Sequence, residues 1–193
     1  VDADDLMAAM KNEARDVAAE QGKLDDLNDS EKDEVYHKVG MSALKYFLLR
    51  VDPVKNMVFN PRESIDFNGH TGPFIQYGFV RTQAIRRRYN ELGGEARNLQ
   101  IPSTLHDAEK GLIRKLYEYP EMINEAATRY NPSVLANYAY ELVKDFNTFY
   151  HECPVLREED ADRRHFRVVL SDKTGEVVQS AMNLLGIGMV AKM

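Results

Sequence analysis

The sequence predicts an all-α bundle, on three observations. No alternating apolar–polar pattern runs longer than a few residues. Leu135, Tyr138, Leu142, Phe146 and Phe149 follow one another at steps of 3, 4, 4 and 3, which places them on one helical face. Glycines and prolines fall between the apolar segments, where helices start and stop, with Pro73 near a start and Gly93-Gly94, Pro120, Pro154 and Gly186 near ends. A chain of 193 residues, 44 % of them hydrophobic, can bury a substantial core.

The elements follow in order. Residues 2–21 read as an amphipathic helix with Leu6, Met10, Val17 and Ala18 near one face. A polar, turn-rich connection over 22–30 leads to a short helix over 31–38, which Gly40 is expected to stop. Ser42 then caps a new helix, SALKYFLLR, ended by Asp52-Pro53. MVFN (57–60) is a short extended candidate, and a small helix is expected over 63–67. Thr71 caps the next helix, with Pro73 in its first turn, where a missing N–H costs little. Helices are expected over 105–119, 121–130, 133–151 and 158–185, the last with acids in its first turn.

Charge is unevenly placed. The net charge is −6, but residues 1–36 hold 12 of the 31 acids and only 4 of the 25 bases, so the remainder is net positive by two. No apolar run approaches the roughly 20 residues that span a bilayer, and no signal peptide opens the sequence. The single cysteine, Cys153, forbids an intrachain disulfide and fits a cytoplasmic location. Val rather than Met stands at position 1 and no tag follows Met193, so a C-terminal piece of a longer protein is expected.

Sites of catalytic type are not supported. NGHTG lacks the lysine and glycine spacing of a phosphate-binding loop, and reads as a turn whose threonine caps a helix. His151 and Cys153 in HECP have no further ligands at zinc-site spacing. No serine–histidine–aspartate arrangement can be argued from spacing. Binding chemistry is better represented. Arg81, Arg86, Arg87 and Arg88 share one helix with no acid until Glu91, and Tyr77, Arg81 and Arg88 line one flank, with Phe74 a turn earlier. Such a stripe can stack bases and hold phosphates, or its aromatics can pack inward and leave the arginines solvated. Asn147, Tyr150 and His151 form a second candidate cluster, open to the same two readings.

Five separated segments resemble one family in order and spacing: GMSALKYFLLR, TGPFIQYGFVR, EKGLIRKLYEYPEMINEAA, LANYAYELVKDFNTFYHECPVL and NLLGIGMVAKM. The first looks like the segment that names the DALR anticodon-binding domain, and all five are similar to the C-terminal part of arginyl-tRNA synthetases, class I aminoacyl-tRNA synthetases. VDADDLMAAM resembles the stretch that follows the catalytic KMSKS loop. Two departures stand out. The sequence has Ser42-Ala43-Leu44-Lys45 in place of Asp-Ala-Leu-Arg, where a charge contact of the usual arginine is expected to change, and Ala-Lys-Met where the family often ends Glu-Arg-Met. The HIGH and KMSKS signatures are absent from this sequence.

The resemblance implies a DALR-type helical bundle, with 1–41 a connector behind a catalytic domain outside this chain and 42–193 the anticodon-binding domain. It implies an arginine–tRNA ligase as the parent, ATP with Mg as cofactors of that other domain, and tRNA-Arg as the partner of a monomer. It carries anticodon-loop contact to Phe74, Tyr77, Arg81, Tyr150 and Met193. A helical protein-interaction module using the same arginine–aromatic face is the alternative.

Overall fold

In the computed structural model, which describes residues 2–21, 27–94 and 98–192, there are eight helices and no strand among the described residues. Helices α1 (Ala3–Gln21) and α2 (Asp29–Leu49) form an antiparallel pair. Asn28 opens α2 with a reciprocal cap: its Oδ1 accepts from the Glu31 N–H at 3.0 Å, while the Glu31 carboxylate accepts from the Asn28 N–H at 2.9 Å. The helix then runs without interruption through Gly40 and Ser42, which corrects the expected stop and restart. Gly40 is there for space: a Cβ on it would lie 2.7 Å from the Met10 carbonyl oxygen, so the glycine lets α1 lie directly on α2. Ser42 is fully buried inside the helix and caps nothing.

The short helix α3 (Pro61–Ser64) starts earlier than the expected 63–67 because the Asn60 side chain caps it. MVFN carries no regular secondary structure, and of its residues Asn60 is extended. Helix α4 (Gly72–Glu91) begins as its sequence predicts, with Thr71 Oγ1 accepting from the Phe74 N–H at 3.2 Å, and it ends before Gly93, whose φ of 75° favours glycine. Helices α5 (Asp107–Tyr117) and α6 (Tyr119–Thr128) are separated at Glu118 just ahead of Pro120. His106 is an unanticipated cap for α5, paired reciprocally with Glu109. Helix α7 (Pro132–Glu152) buries Leu135, Tyr138, Leu142, Phe146 and Phe149, the residues of its apolar row. Helix α8 (Ala161–Leu184) starts three residues later than the expected 158 because Asp160 is its cap.

Two apolar cores result. The larger lies among α4, α5, α7 and α8, and Tyr46 from α2 reaches into it. The smaller joins Met10 and Ala14 of α1 to Val39, Ala43 and Leu44 of α2, with Ile65 and Val190. After α8 the chain crosses back over α2 and α4. Lys45 Nζ donates to the Gly186 carbonyl at 2.7 Å and Gln76 Nε2 to the Gly188 carbonyl at 2.8 Å, while Ile187 and Val190 are buried. The lysine that stands in place of the usual arginine thus anchors the end of α8.

Helix α4 is the central element, packed against α2, α7 and α8. Its approach to α7 depends on Gly78: a Cβ there would sit 2.4 Å from Val143 Cγ1. A buried ionic network closes the other end of the bundle. Arg167, 5 % exposed, donates to the fully buried Glu109 at 2.6 Å, to Glu158 at 2.7 Å and to the Pro154 carbonyl at 2.9 Å. It ties α5 and the α7–α8 turn to α8.

Arg167→Ala strands the Glu109 charge without its partner, and urea unfolding is expected to show a loss of about 3–5 kcal/mol; a loss under about 1 kcal/mol would show that the pair matters little to the fold. Alkaline pH tests the core differently. Burial pushes the Tyr46 and Tyr138 hydroxyls and the Cys153 thiol up from their ordinary values. The unfolded chain therefore ionises first, so this stability is complete at neutral pH and is lost as pH rises past about 8.5 for the thiol and about 10 for the phenols. The melting temperature is expected to fall from about pH 8.5 upward, with a shallower fall near pH 10 in Tyr46→Phe. An unchanged melting temperature through pH 11 would contradict this.

Candidate nucleic-acid interface

Facing pairs on α4 and α7 build the site. Tyr77 and Arg81 are four residues apart on α4 and therefore share a face; Asn147 and Tyr150 are three apart on α7 and share another. Close α4–α7 packing brings the pairs together. The Arg81 guanidinium carbon lies 5.0 Å from the Tyr77 ring centroid and 4.9 Å from that of Tyr150. Arg81 Nη1 donates to Asn147 Oδ1 at 2.6 Å. Each cation–ring contact stabilises by about 0.5–1 kcal/mol at an exposed site.

A cleft of about 450 Å³ opens beside this cluster, lined by Phe67, Asn68, Phe74, Tyr77, Arg81, Asn147 and His151. Phe74 and Tyr77 are half-buried rather than sealed in the core, and Tyr150 is 41 % exposed. The structure thus brings Phe74, Tyr77, Arg81 and Tyr150 into one locus and joins the two clusters that the sequence presented separately. Met193 lies outside the described residues.

Beside the cleft, the His70 ring lies tilted against Tyr140 with centroids 3.9 Å apart and planes at 32°, and Tyr140 in turn meets Phe74 at 5.2 Å. Burial, with Arg50 nearby, pushes the His70 pKa below its usual value. Neutral imidazole is thereby favoured behind Phe74. Arg50 also donates to the His70 carbonyl, fixing the turn that precedes α4. Cys153 is buried rather than paired with His151 at an open site.

The arginines of α4 fall into distinct classes. Arg86 pairs with Asp172 of α8, and Arg88 pairs with Glu91, the first acid that follows in its own helix. Arg87 is exposed. Arg81 differs from the other three in how it is held: no carboxylate pairs with it among the described residues, and its guanidinium is fixed by an amide and two rings. A cation fixed by neutral groups keeps its whole charge for an incoming anion. Phe67 and Asn68, from the turn before α4, were not singled out by the sequence, where no spacing links them to α7. Their part in the site becomes visible only when the turn folds over the helix pair.

Residues 75–193 match the model of the DALR anticodon binding domain. The chain belongs to that family. Among similar proteins, the arginine–tRNA ligase of Phocaeicola vulgatus is 49 % identical over 195 residues and that of Parabacteroides distasonis 47 %; the alignments cover 100 % of this chain and 32 % of each relative. The chain therefore spans about a third of the length of the curated relatives it matches. Among solved structures, the arginyl-tRNA synthetase of Thermus thermophilus superposes with a TM-score of 0.88 at 27 % identity, over all of this chain and 32 % of that one. The Plasmodium falciparum arginyl-tRNA synthetase does so at 0.82 and 22 % identity, over all of this chain and 34 % of that one, a likeness of fold. The DALR domain of this chain thus places Tyr77, Arg81 and Tyr150 within its matched span, while Phe74 lies one residue ahead of it.

Proposed function

We propose that this chain is the anticodon-binding portion of an arginine–tRNA ligase, and that it binds the anticodon loop of tRNA-Arg at the α4–α7 cleft. The observation that carries the reading is Arg81. It is a cation without an acidic partner among the described residues, set between two tyrosine rings at the mouth of an aromatic-lined cleft. Unpaired bases stack on such rings, and phosphates meet such a cation. Phe74, Tyr77, Arg81 and Tyr150 are the proposed contacts, with Met193 as a fifth by resemblance.

In the parent enzyme this binding orients the acceptor end of the tRNA toward a catalytic domain outside this chain. That domain would use ATP with Mg to attach arginine. The 1–41 connector and the 42–193 binding domain, which meet within the continuous helix α2, belong to a cytoplasmic monomer. Among the described residues no helix is long and apolar enough to cross a membrane.

The test is titration of the chain with tRNA-Arg and with a non-cognate tRNA at two salt concentrations. Salt-sensitive binding that prefers tRNA-Arg is expected. Tyr150→Ala is expected to weaken it by about 1–3 kcal/mol, since it removes one stacking ring. Equal binding of both tRNAs would contradict anticodon recognition. Absence of binding to either would favour a protein partner for the same face.

A further inference from the structure

Arginine is a long, flexible side chain, and a free one loses much rotamer freedom when it grips a ligand. Pre-ordering the side chain removes part of that loss. Arg81 is pre-ordered, and the partner that fixes it directionally is Asn147. The rings of Tyr77 and Tyr150 lie 5.0 and 4.9 Å from its guanidinium carbon and leave the plane free to turn, whereas the 2.6 Å hydrogen bond to Asn147 Oδ1 selects one nitrogen and one orientation. The chemical identity of that partner matters as much as its place. A carboxylate here would hold the guanidinium equally well and cancel its charge, as Asp172 does for Arg86 on the next turns of the same helix. An amide holds it and leaves the charge intact.

We infer that Asn147 is a positioning residue for RNA binding, whose side-chain amide holds Arg81 at the aromatic cleft without neutralising it. The inference rests on the proposed binding of tRNA at this cleft. Asn147 also lines the cleft, yet the role assigned to it runs through Arg81. It is only partly buried and is not among the core residues of α7, so its truncation is expected to leave the fold intact.

The experiment is a double-mutant cycle on the full chain. Affinity for a tRNA-Arg transcript is measured for the parent sequence, Arg81→Ala, Asn147→Ala and the double variant, and thermal melts verify that each folds. Asn147→Ala is expected to weaken binding about fivefold in the parent and by less than about twofold in Arg81→Ala. In the free protein, NMR of the Arg81 guanidinium is expected to show hindered rotation that Asn147→Ala abolishes. Equal losses in both backgrounds would overturn the inference, because Asn147 would then act independently of Arg81. So would unchanged affinity of Asn147→Ala beside a loss in Arg81→Ala, an outcome that leaves tRNA binding itself standing. If the parent sequence does not bind the transcript, the binding proposal fails and this inference falls with it.

Discussion

The close crossing of α4 on α7 is the constraint on which the site depends. At Gly78 the helices approach so nearly that a single added carbon would lie 2.4 Å from Val143 Cγ1. Protein interiors accommodate such overlap by forcing side chains off their rotamers and shifting backbone, at a cost of roughly 1–3 kcal/mol. That exceeds the helix propensity of about 1 kcal/mol that glycine forfeits relative to alanine, so space decides the residue. The neighbours of the crossing inherit its geometry. Tyr77 precedes Gly78, Arg81 follows a turn later, and Asn147 follows Val143 on the facing helix. A wider crossing would take the 2.6 Å contact between Arg81 and Asn147 beyond hydrogen-bonding reach.

Charge is handled with the same economy. The bundle pairs its structural cations with acids: Arg86 with Asp172, Arg88 with Glu91, and Arg167 with Glu109 and Glu158. At the cleft it uses neutral partners, an amide and two phenol rings. The excess acid of the chain is concentrated in α1 and the start of α2. A net charge of −6 thus coexists with a locally cationic site, and the distribution carries more information about partners than the total.

The parts legible in the sequence were those governed by local rules. The apolar row of α7, the Thr71 cap and the Gly93 stop follow from periodicity and backbone conformation, and each is found in place. Gly40 shows where local rules fail. Glycine signals a helix end when nothing competes, but here tertiary packing against Met10 uses the absent side chain, and α2 continues through it. α8 was legible as a helix and less so in its burial. Arg167, Ser171 and Thr174 are of residue types mostly found exposed, yet all are buried with partners: Ser171 donates to the Arg167 carbonyl and Thr174 to the Leu170 carbonyl. The site was legible as two clusters. Their union, and the addition of Phe67 and Asn68, depends on contacts between segments about 70–80 positions apart, which no local pattern encodes.

The central claim is that RNA meets this chain at the α4–α7 cleft. Hydroxyl-radical footprinting with and without tRNA-Arg tests it directly, because Tyr117 and Tyr130, 87 % and 90 % exposed and outside the cleft, provide internal references. Protection of Phe74, Tyr77 and Tyr150 with unchanged labelling of the two references is the predicted result. Protection of Tyr117 or Tyr130 with Tyr150 still labelled would place the RNA on another face and contradict the account.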